Sequence, residues 1–444
     1  MGSSIEELLE GYKRRTYSPI EITNNYLKRI KEMDTTLHSY ITLMEERALE
    51  QAEKVEATWK NREKMNLYGI PTSFKDAIDI AGFPTTNGSK IDKNNIAKNN
   101  AEVVNVLEVS GCITLGKNNM SEYAADVTSK NEHFGNVLNP LNKNRTAGGS
   151  SSGSAVSVAA ELSIGSIGTD TSGSVRVPAA CCGVVGVKPT TGLIGMKGVM
   201  PLSWTLDHIG VIANNIDDTK YLMEALTGTK YGKFDDKNGL NDVKIGLPNV
   251  YFNEFNDNTT NLMMEMVINH LVKLGAQLKN VDVSFLNNDS LKLSRTIGTS
   301  EITVGHNEKY TLHKQSYNEG LVQTFKKGNN ILAFEYLNAL KIREEWKFKM
   351  DSLLKEVDIM ITPTMPILPP YIHEEQVFNG KEYEAIGDYM VRNTSPFNFT
   401  GHPALTMPSG MKEDGVSLGF QMITSYYRED LLFKTGRIYE QFIK

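Results

Sequence analysis

The chain has 444 residues, a formal net charge of −6, 40% hydrophobic residues and 23% charged ones. That balance excludes a disordered or fibrous chain, and it argues against a binder of phosphate backbones, whose contacts come mostly from Lys and Arg. The length calls for one large core, or a core with appended elements, because domains cluster near about 100–200 residues.

From the N-terminus, residues 1–7 (Met-Gly-Ser-Ser-Ile-Glu-Glu) lack the basic and apolar pattern of a secretory leader. No stretch reaches about 18 apolar residues, so no membrane span and no membrane partner is expected. The three cysteines, Cys112, Cys181 and Cys182, are odd in number and lack zinc-ligand spacing. They read as small buried side chains in a reducing compartment, and the expected location is the cytoplasm. The basic runs at Lys13, Arg14 and Arg15 and at residues 341–349 read as solvated helix faces.

Residues 1–65 read as a helical arm packed on a core formed by residues 66–444. Ser18-Pro19-Ile20-Glu21 is a capping box with proline at the first helical position, and Ile22, Tyr26 and Ile30 follow on one face. A second helix is predicted over residues 43–59. Residues 69–74 read as a short extended segment, 102–109 as a helix and 112–115 as a strand. Further on come strands over 164–168, 243–247 and 357–361, and helices over 155–160, 262–274 and 331–355. The polar stretch 232–242 reads as a loop joining two halves of one domain. Helices alternating with short buried strands indicate an α/β fold with a mixed sheet.

The chemistry concentrates in residues 144–192, which are rich in Gly, Ser, Ala and Thr. Gly148-Gly149-Ser150-Ser151-Ser152-Gly153-Ser154 opens a helix of small residues, and Thr169-Asp170-Thr171-Ser172-Gly173-Ser174-Val175-Arg176 opens another. Amide groups at such junctions can hold a developing negative charge. A phosphate-binding P-loop would need Lys after Gly153, where Ser154 stands. A nucleophile elbow at Ser151 would need a strand running into it, and residues 140–146 are a polar loop. A glycine-rich loop with no chemistry is the remaining plain reading.

These two loops resemble the amidase signature. The likeness continues through Cys182-Gly183-Val184-Val185-Gly186-Val187-Lys188-Pro189-Thr190, upstream to Gly69-Ile70-Pro71-Thr72-Ser73-Phe74-Lys75-Asp76 and Gly116-Lys117-Asn118-Asn119-Met120-Ser121-Glu122-Tyr123, and downstream to Pro396-Phe397-Asn398-Phe399-Thr400-Gly401-His402-Pro403-Ala404-Leu405. It covers about residues 5–440. The resemblance implies a central twisted mixed β-sheet flanked by helices on both faces, and a hydrolase for carboxylic amides that needs no metal or organic cofactor. It implies Ser174 as nucleophile, Ser150 as proton bridge on a cis peptide bond, and Lys75 as base. A serine hydroxyl needs such a base, and lysine serves only when neutral, which burial favours. The amides of Thr171, Ser172, Gly173 and Ser174 are expected to form the oxyanion hole. Ser151, Asp170 and Arg176 are expected to support the loops.

The family usually has glycine where this chain has Ser172, and often where it has Ser152. If either site needs positive φ, serine adds strain of about 1–2 kcal/mol. One branch of the family is the glutamine-hydrolysing component of the glutamyl-tRNA(Gln) amidotransferase. Arg343 falls where that branch places a glutamine-binding arginine, but general amidases carry arginine there too. Val391 stands where that branch tends to place an aspartate, three residues before Thr394, and residues 299–306 read more like a general amidase. The expected function is therefore a general amidase acting on a small-molecule amide without direct nucleic-acid contact. The alternatives are the glutamine-hydrolysing amidotransferase component, or an impaired, partner-dependent protein on the same fold. Protein partners would be a second copy, or the other amidotransferase subunits under the alternative. Residues 251–382 match the family least and are expected to wall the acyl pocket, with Phe252, Phe325, Phe334 and Tyr336 either lining it or lying in the core.

Overall fold

Small residues at the centre of the chain decide how its layers pack. In the strand β4 (Gly165–Asp170) a Cβ on Gly165 would sit 2.3 Å from Leu222 Cδ1, whereas one on Gly168 would sit 2.7 Å from Ser151 Oγ. These glycines point to opposite faces, since alternate strand residues do. One face thus meets the helix α7 (Ile216–Thr227), which carries Leu222, and the other meets the loop leading into α5 (Ser152–Ala159). The computed structural model describes residues 4–232, 239–287, 289–379 and 382–444. Of the expected 232–242 loop, residues 233–238 lie outside the described residues.

The remaining strands are β1 (Tyr40–Leu43), β2 (Pro71–Lys75), β3 (Ile113–Asn118), β5 (Val185–Lys188), β6 (His208–Ala213), β7 (Lys244–Pro248), β8 (Gln277–Val281), β9 (Ile359–Pro363), β10 (Gln376–Phe378), β11 (Tyr383–Ala385), β12 (Ala404–Glu413) and β13 (Val416–Ile423). Eleven of them join in the order β1-β3-β2-β4-β6-β5-β12-β13-β9-β7-β8, and β10 and β11 form a separate hairpin. The large sheet is mixed. β3, β2 and β4 run parallel to one another, as do β9, β7 and β8, while the pairs between β4 and β9 are antiparallel.

Two short helices, α5 and α6 (Arg176–Cys182), pack on one face of the sheet, and α7, α8 (Asn258–Lys273) and α14 (Glu429–Ile443) pack together on the other. Every residue of α6 is buried, because its Ala179, Ala180, Cys181 and Cys182 side chains are small enough to lie against β5, β12 and β13. The three cysteines are buried and unpaired. Outside these layers, α9 (Ser290–His313), α10 (Glu319–Gly328) and α11 (Ala333–Leu353) form a helical group over the end of the sheet that carries the signature loops. Among the described residues no helix is long and apolar enough to cross a membrane.

Helix starts follow the sequence signals. Ser18 caps α2 (Pro19–Leu37) with a reciprocal box to Glu21, and Ser4 does the same for α1 (Ile5–Arg14) with Glu7. The helix predicted over 43–59 is α3 (Glu45–Ala57). Between α2 and α3 the chain makes β1, which the sequence reading did not anticipate. Its four residues are all only half-buried, so the strand carries no alternating pattern, and its pairing with β3 is a long-range contact.

Candidate active site

Because β3, β2 and β4 run parallel, their C-terminal ends lie side by side. In open α/β sheets this is where ligand sites form. Lys75 ends β2, Asn118 ends β3 in register with it, and Thr169 and Asp170 end β4. The loop after β4 carries residues 171–175, and the loop after β3 carries residues 119–133.

Lys75 is fully buried, and its Nζ donates to Ser150 Oγ and to Thr169 Oγ1, each at 2.7 Å. Burial pulls its ammonium down from 10.5 to about 7, against the carboxylates of Asp207 and Asp170, which act to raise it. The Gly149–Ser150 peptide is cis. Ser151 ties the two serine loops together: its N–H donates to the Ser174 carbonyl at 3.2 Å, and its Oγ donates to the Thr169 carbonyl at 3.1 Å. No strand precedes Ser151, so the elbow geometry is absent. Ser174 is 3% exposed, and among the described residues no hydrogen bond joins its hydroxyl to that of Ser150.

Asp170 and Arg176 form a fully buried ion pair, with Arg176 Nη2 3.0 Å and Nε 3.1 Å from the two carboxylate oxygens. The guanidinium also donates to Gln421 Oε1 and Asn398 Oδ1. Burial acts to raise the Asp170 carboxyl, but Arg176 and the Asn398 amide prevail and hold it well below the usual carboxylate range. The same carboxylate accepts the backbone N–H groups of Gly173, Val175 and Arg176, at 2.8, 3.1 and 3.3 Å. Of the four amides assigned to an oxyanion, that of Gly173 is committed to Asp170 Oδ1, whereas those of Thr171, Ser172 and Ser174 have no acceptor among the described residues.

Neither serine at a usual glycine position is strained. Ser172 and Ser152 both lie outside positive φ, and Ser152 is the first residue of α5. Positive φ in the second loop falls on Gly173, at 131°, where a Cβ would meet Thr394 Oγ1 at 2.1 Å. Thr394 Oγ1 in turn donates to the Ser172 carbonyl at 2.6 Å.

Ser174, Ser172 and Thr171 open onto a cavity of about 510 Å³. Its walls come from residues 122–133, from α9 and α10, and from α12 (Ile386–Val391). Part of the wall thus comes from the region 251–382, and part comes from outside it. Phe252 and Phe325 are core residues, Phe334 is 76% exposed, and Tyr336 donates to Glu301; none of the four lines the cavity. Arg343 is also absent from the lining: it pairs with Glu344 and donates to the Thr205 carbonyl. Val391 does line it. Arg295 and Asp388 form an ion pair on the wall. Asp207, Arg295 and Asp388 were not predicted, because none stands in a quoted motif; Thr169 stands in the second serine loop, but its bond to Lys75 is a contact between strands that the motif does not announce.

The fold and this pair of serine loops over a buried lysine define a class, and comparison with known proteins agrees. The family profile described as Amidase matches residues 21–433. The glutamyl-tRNA(Gln) amidotransferase A-type subunit of Clostridium novyi (strain NT) is 33% identical, over 98% of this chain and 96% of the relative. Among solved structures, one described as an amidase superposes with a TM-score of 0.92 at 26% identity, covering 99% of each chain. Another, from a vestigial protein complex bearing on the origins of an s-triazine catabolic enzyme, gives 0.91 at 27% identity, covering 99% of this chain and 98% of that one. The chain belongs to the amidase signature family, whose solved neighbours include enzymes that hydrolyse carbon–nitrogen bonds.

Proposed function

We propose that the protein hydrolyses a carboxylic amide through an acyl-enzyme on Ser174. The observation that carries this reading is Lys75, buried, pulled down to about 7, and hydrogen-bonded at 2.7 Å to Ser150 beside the Ser174 loop. Ser174 Oγ attacks the carbonyl carbon, its proton passes to Ser150 Oγ, and the Ser150 proton passes to the neutral Lys75 amine. The contact between the two hydroxyls forms in the substrate complex, since such bonds are often long without substrate. The oxyanion is held by the amides of Thr171, Ser172 and Ser174. Collapse breaks the C–N bond, and the stored proton returns through Ser150 to the leaving amine. Water then attacks the acyl-enzyme, gives its proton to the same relay, and releases the carboxylate and the Ser174 hydroxyl.

The similarity to the glutamyl-tRNA(Gln) amidotransferase proteins supports a second reading, release of ammonia from glutamine within a complex. Arg343 turned onto Thr205 and Val391 in the cavity wall weigh against it, because neither offers a charge to the α-carboxylate or α-amine of glutamine. We therefore place the protein among the stand-alone amidases.

A fluorophosphonate that labels reactive serines tests the site without a chosen substrate. Intact mass should rise by one label, not at all in Ser174→Ala, and much more slowly in Lys75→Ala. Labelling that survives in Ser174→Ala would move the nucleophile elsewhere. A stable companion protein, with glutamine cleaved only in its presence, would favour the second reading.

A further inference from the structure

We propose that Asp207 is a positioning residue that fixes the Thr171 amide for the oxyanion and keeps a negative charge facing Lys75. The inference rests on the acyl-enzyme reading above. Asp207 stands immediately before β6, the antiparallel neighbour of β4. Its Oδ1 accepts the Thr171 hydroxyl at 2.6 Å, and its Oδ2 accepts the N–H groups of Leu202 and Ser203 at 2.8 and 2.9 Å. The carboxylate is thus held by its own turn and grips the first residue of the loop that ends in Ser174. That turn is anchored from outside the sheet. Glu301 of α9, 1% exposed, accepts Ser203 Oγ at 2.5 Å, the Thr205 N–H at 3.1 Å and the Tyr336 hydroxyl at 2.8 Å.

The arrangement explains why Thr171 can present its amide to the cavity although its own N–H has no internal acceptor. A side-chain hydroxyl tied at 2.6 Å leaves the backbone little freedom to turn away. The charged and titratable groups around Asp207 come from every neighbouring element: Lys75 from β2, Asp170 from β4, His208 from β6, Glu301 from α9, and Arg343 from α11 through the Thr205 carbonyl. Burial raises the Asp207 carboxyl to about 6, against the hydrogen bonds from Thr171, Ser203 and Leu202 and the charge of Lys75, so the carboxylate is ionised above about pH 6 and opposes the burial that pulls Lys75 down.

The test is the rate of Ser174 labelling by a fluorophosphonate as a function of pH, with melting temperature measured alongside, for the parent, Thr171→Val, Thr171→Ser and Asp207→Asn. Thr171→Val leaves the Asp207 carboxyl in place but removes its grip, and with it one of the hydrogen bonds that favour its ionised form. Its labelling should slow about 10- to 100-fold at pH 8 and above, approaching the loss of an oxyanion donor. Thr171→Ser, which keeps the hydroxyl, should recover most of the rate. Asp207→Asn should slow labelling and also move the acid-side midpoint to lower pH, because Lys75 loses a charge that favours its protonated form. Parental rates in Thr171→Val, no recovery in Thr171→Ser, or an unmoved midpoint in a folded Asp207→Asn would each overturn the inference. If Asp207→Asn does not fold, the two threonine variants decide it. A parent that labels at Ser174 while the variants keep its rate defeats only this inference, whereas a parent unlabelled at Ser174 defeats the acyl-enzyme reading with it.

Discussion

Lys75 Nζ lies 2.7 Å from Ser150 Oγ, with no part of the lysine exposed to water. Only the neutral amine can accept a proton there, and burial brings that form within reach near neutrality by pulling the group down to about 7. Activity should therefore fall on the acid side with a midpoint near pH 7, as Lys75 gains a proton. A pH profile of fluorophosphonate labelling, or of kcat/KM on any accepted amide, checks this. An acid limb two units lower would assign the base role to another group.

The same shift links to stability. The folded chain holds Lys75 at about 7, while the unfolded chain keeps it at 10.5. Between those values the unfolded state binds more protons, so this residue's unfavourable contribution is full below about pH 7 and vanishes as pH rises towards 10.5. Lys75→Met removes the titration. Its melting temperature relative to the parent should be most favourable at or below pH 7 and should lose ground steadily up to pH 10.5, while the variant is inactive throughout. Thermal melts of both proteins across that range measure it, and a difference that does not change with pH would contradict the assignment.

The second serine loop separates two neighbouring positions. Gly173→Ala places a Cβ 2.1 Å from Thr394 Oγ1 on a backbone at φ 131°. It should disturb the Ser172–Thr394 hydrogen bond and abolish labelling of Ser174, with a loss of stability of about 1–3 kcal/mol. Ser172→Gly relieves nothing, because Ser172 is not at positive φ. It should leave labelling close to the parent's and lower stability by no more than about 1 kcal/mol, through the added freedom of the unfolded chain. Denaturant melts and labelling rates of the two variants test both halves.

The parts of this molecule that were legible in the sequence are local. Capping boxes at Ser18 and Glu21, the small residues of α5 and α6, and the order of the signature motifs all announce themselves within a few positions. Lys75, Ser150 and the Ser174 loop stand in the motifs, and the parallel pairing of β2 with β4 brings together the strand ends that carry Lys75 and the Ser174 loop. What escaped depends on distant pairing. β1 is recognisable only beside β3, Thr169 matters only because Lys75 reaches it, and Asp207 lies in a turn with no motif of its own. The commitment of the Gly173 amide to Asp170 could not be read from spacing either, since an aspartate can cap a loop with any of several amides. The cavity wall joins residues more than two hundred positions apart, such as Asp126 and Asp388.

That wall bears on which amides fit. Six of its residues are acids, Glu122, Asp126, Glu132, Glu319, Glu375 and Asp388, against two permanent cations, Lys130 and Arg295. Arg295 pairs with Asp388, and Lys130 stands 3.9 Å from Glu375, so both cations already have carboxylate neighbours. An anionic acyl group would enter a space of the same sign, and at an effective dielectric near 20 each like charge about 6–8 Å away costs roughly 2–3 kcal/mol before screening. Among amides of matched size, those bearing a carboxylate should therefore have the lowest kcat/KM, by about 10-fold or more against neutral ones, and added salt should narrow the gap. Asp126→Asn should narrow it too, since Asp126 lines the cavity without a cation bonded to it in the described residues. A panel of neutral, cationic and anionic primary amides, read at two ionic strengths, measures this directly. Preference for the carboxylate would mean that the Arg295–Asp388 pair opens on binding and presents the guanidinium to the substrate.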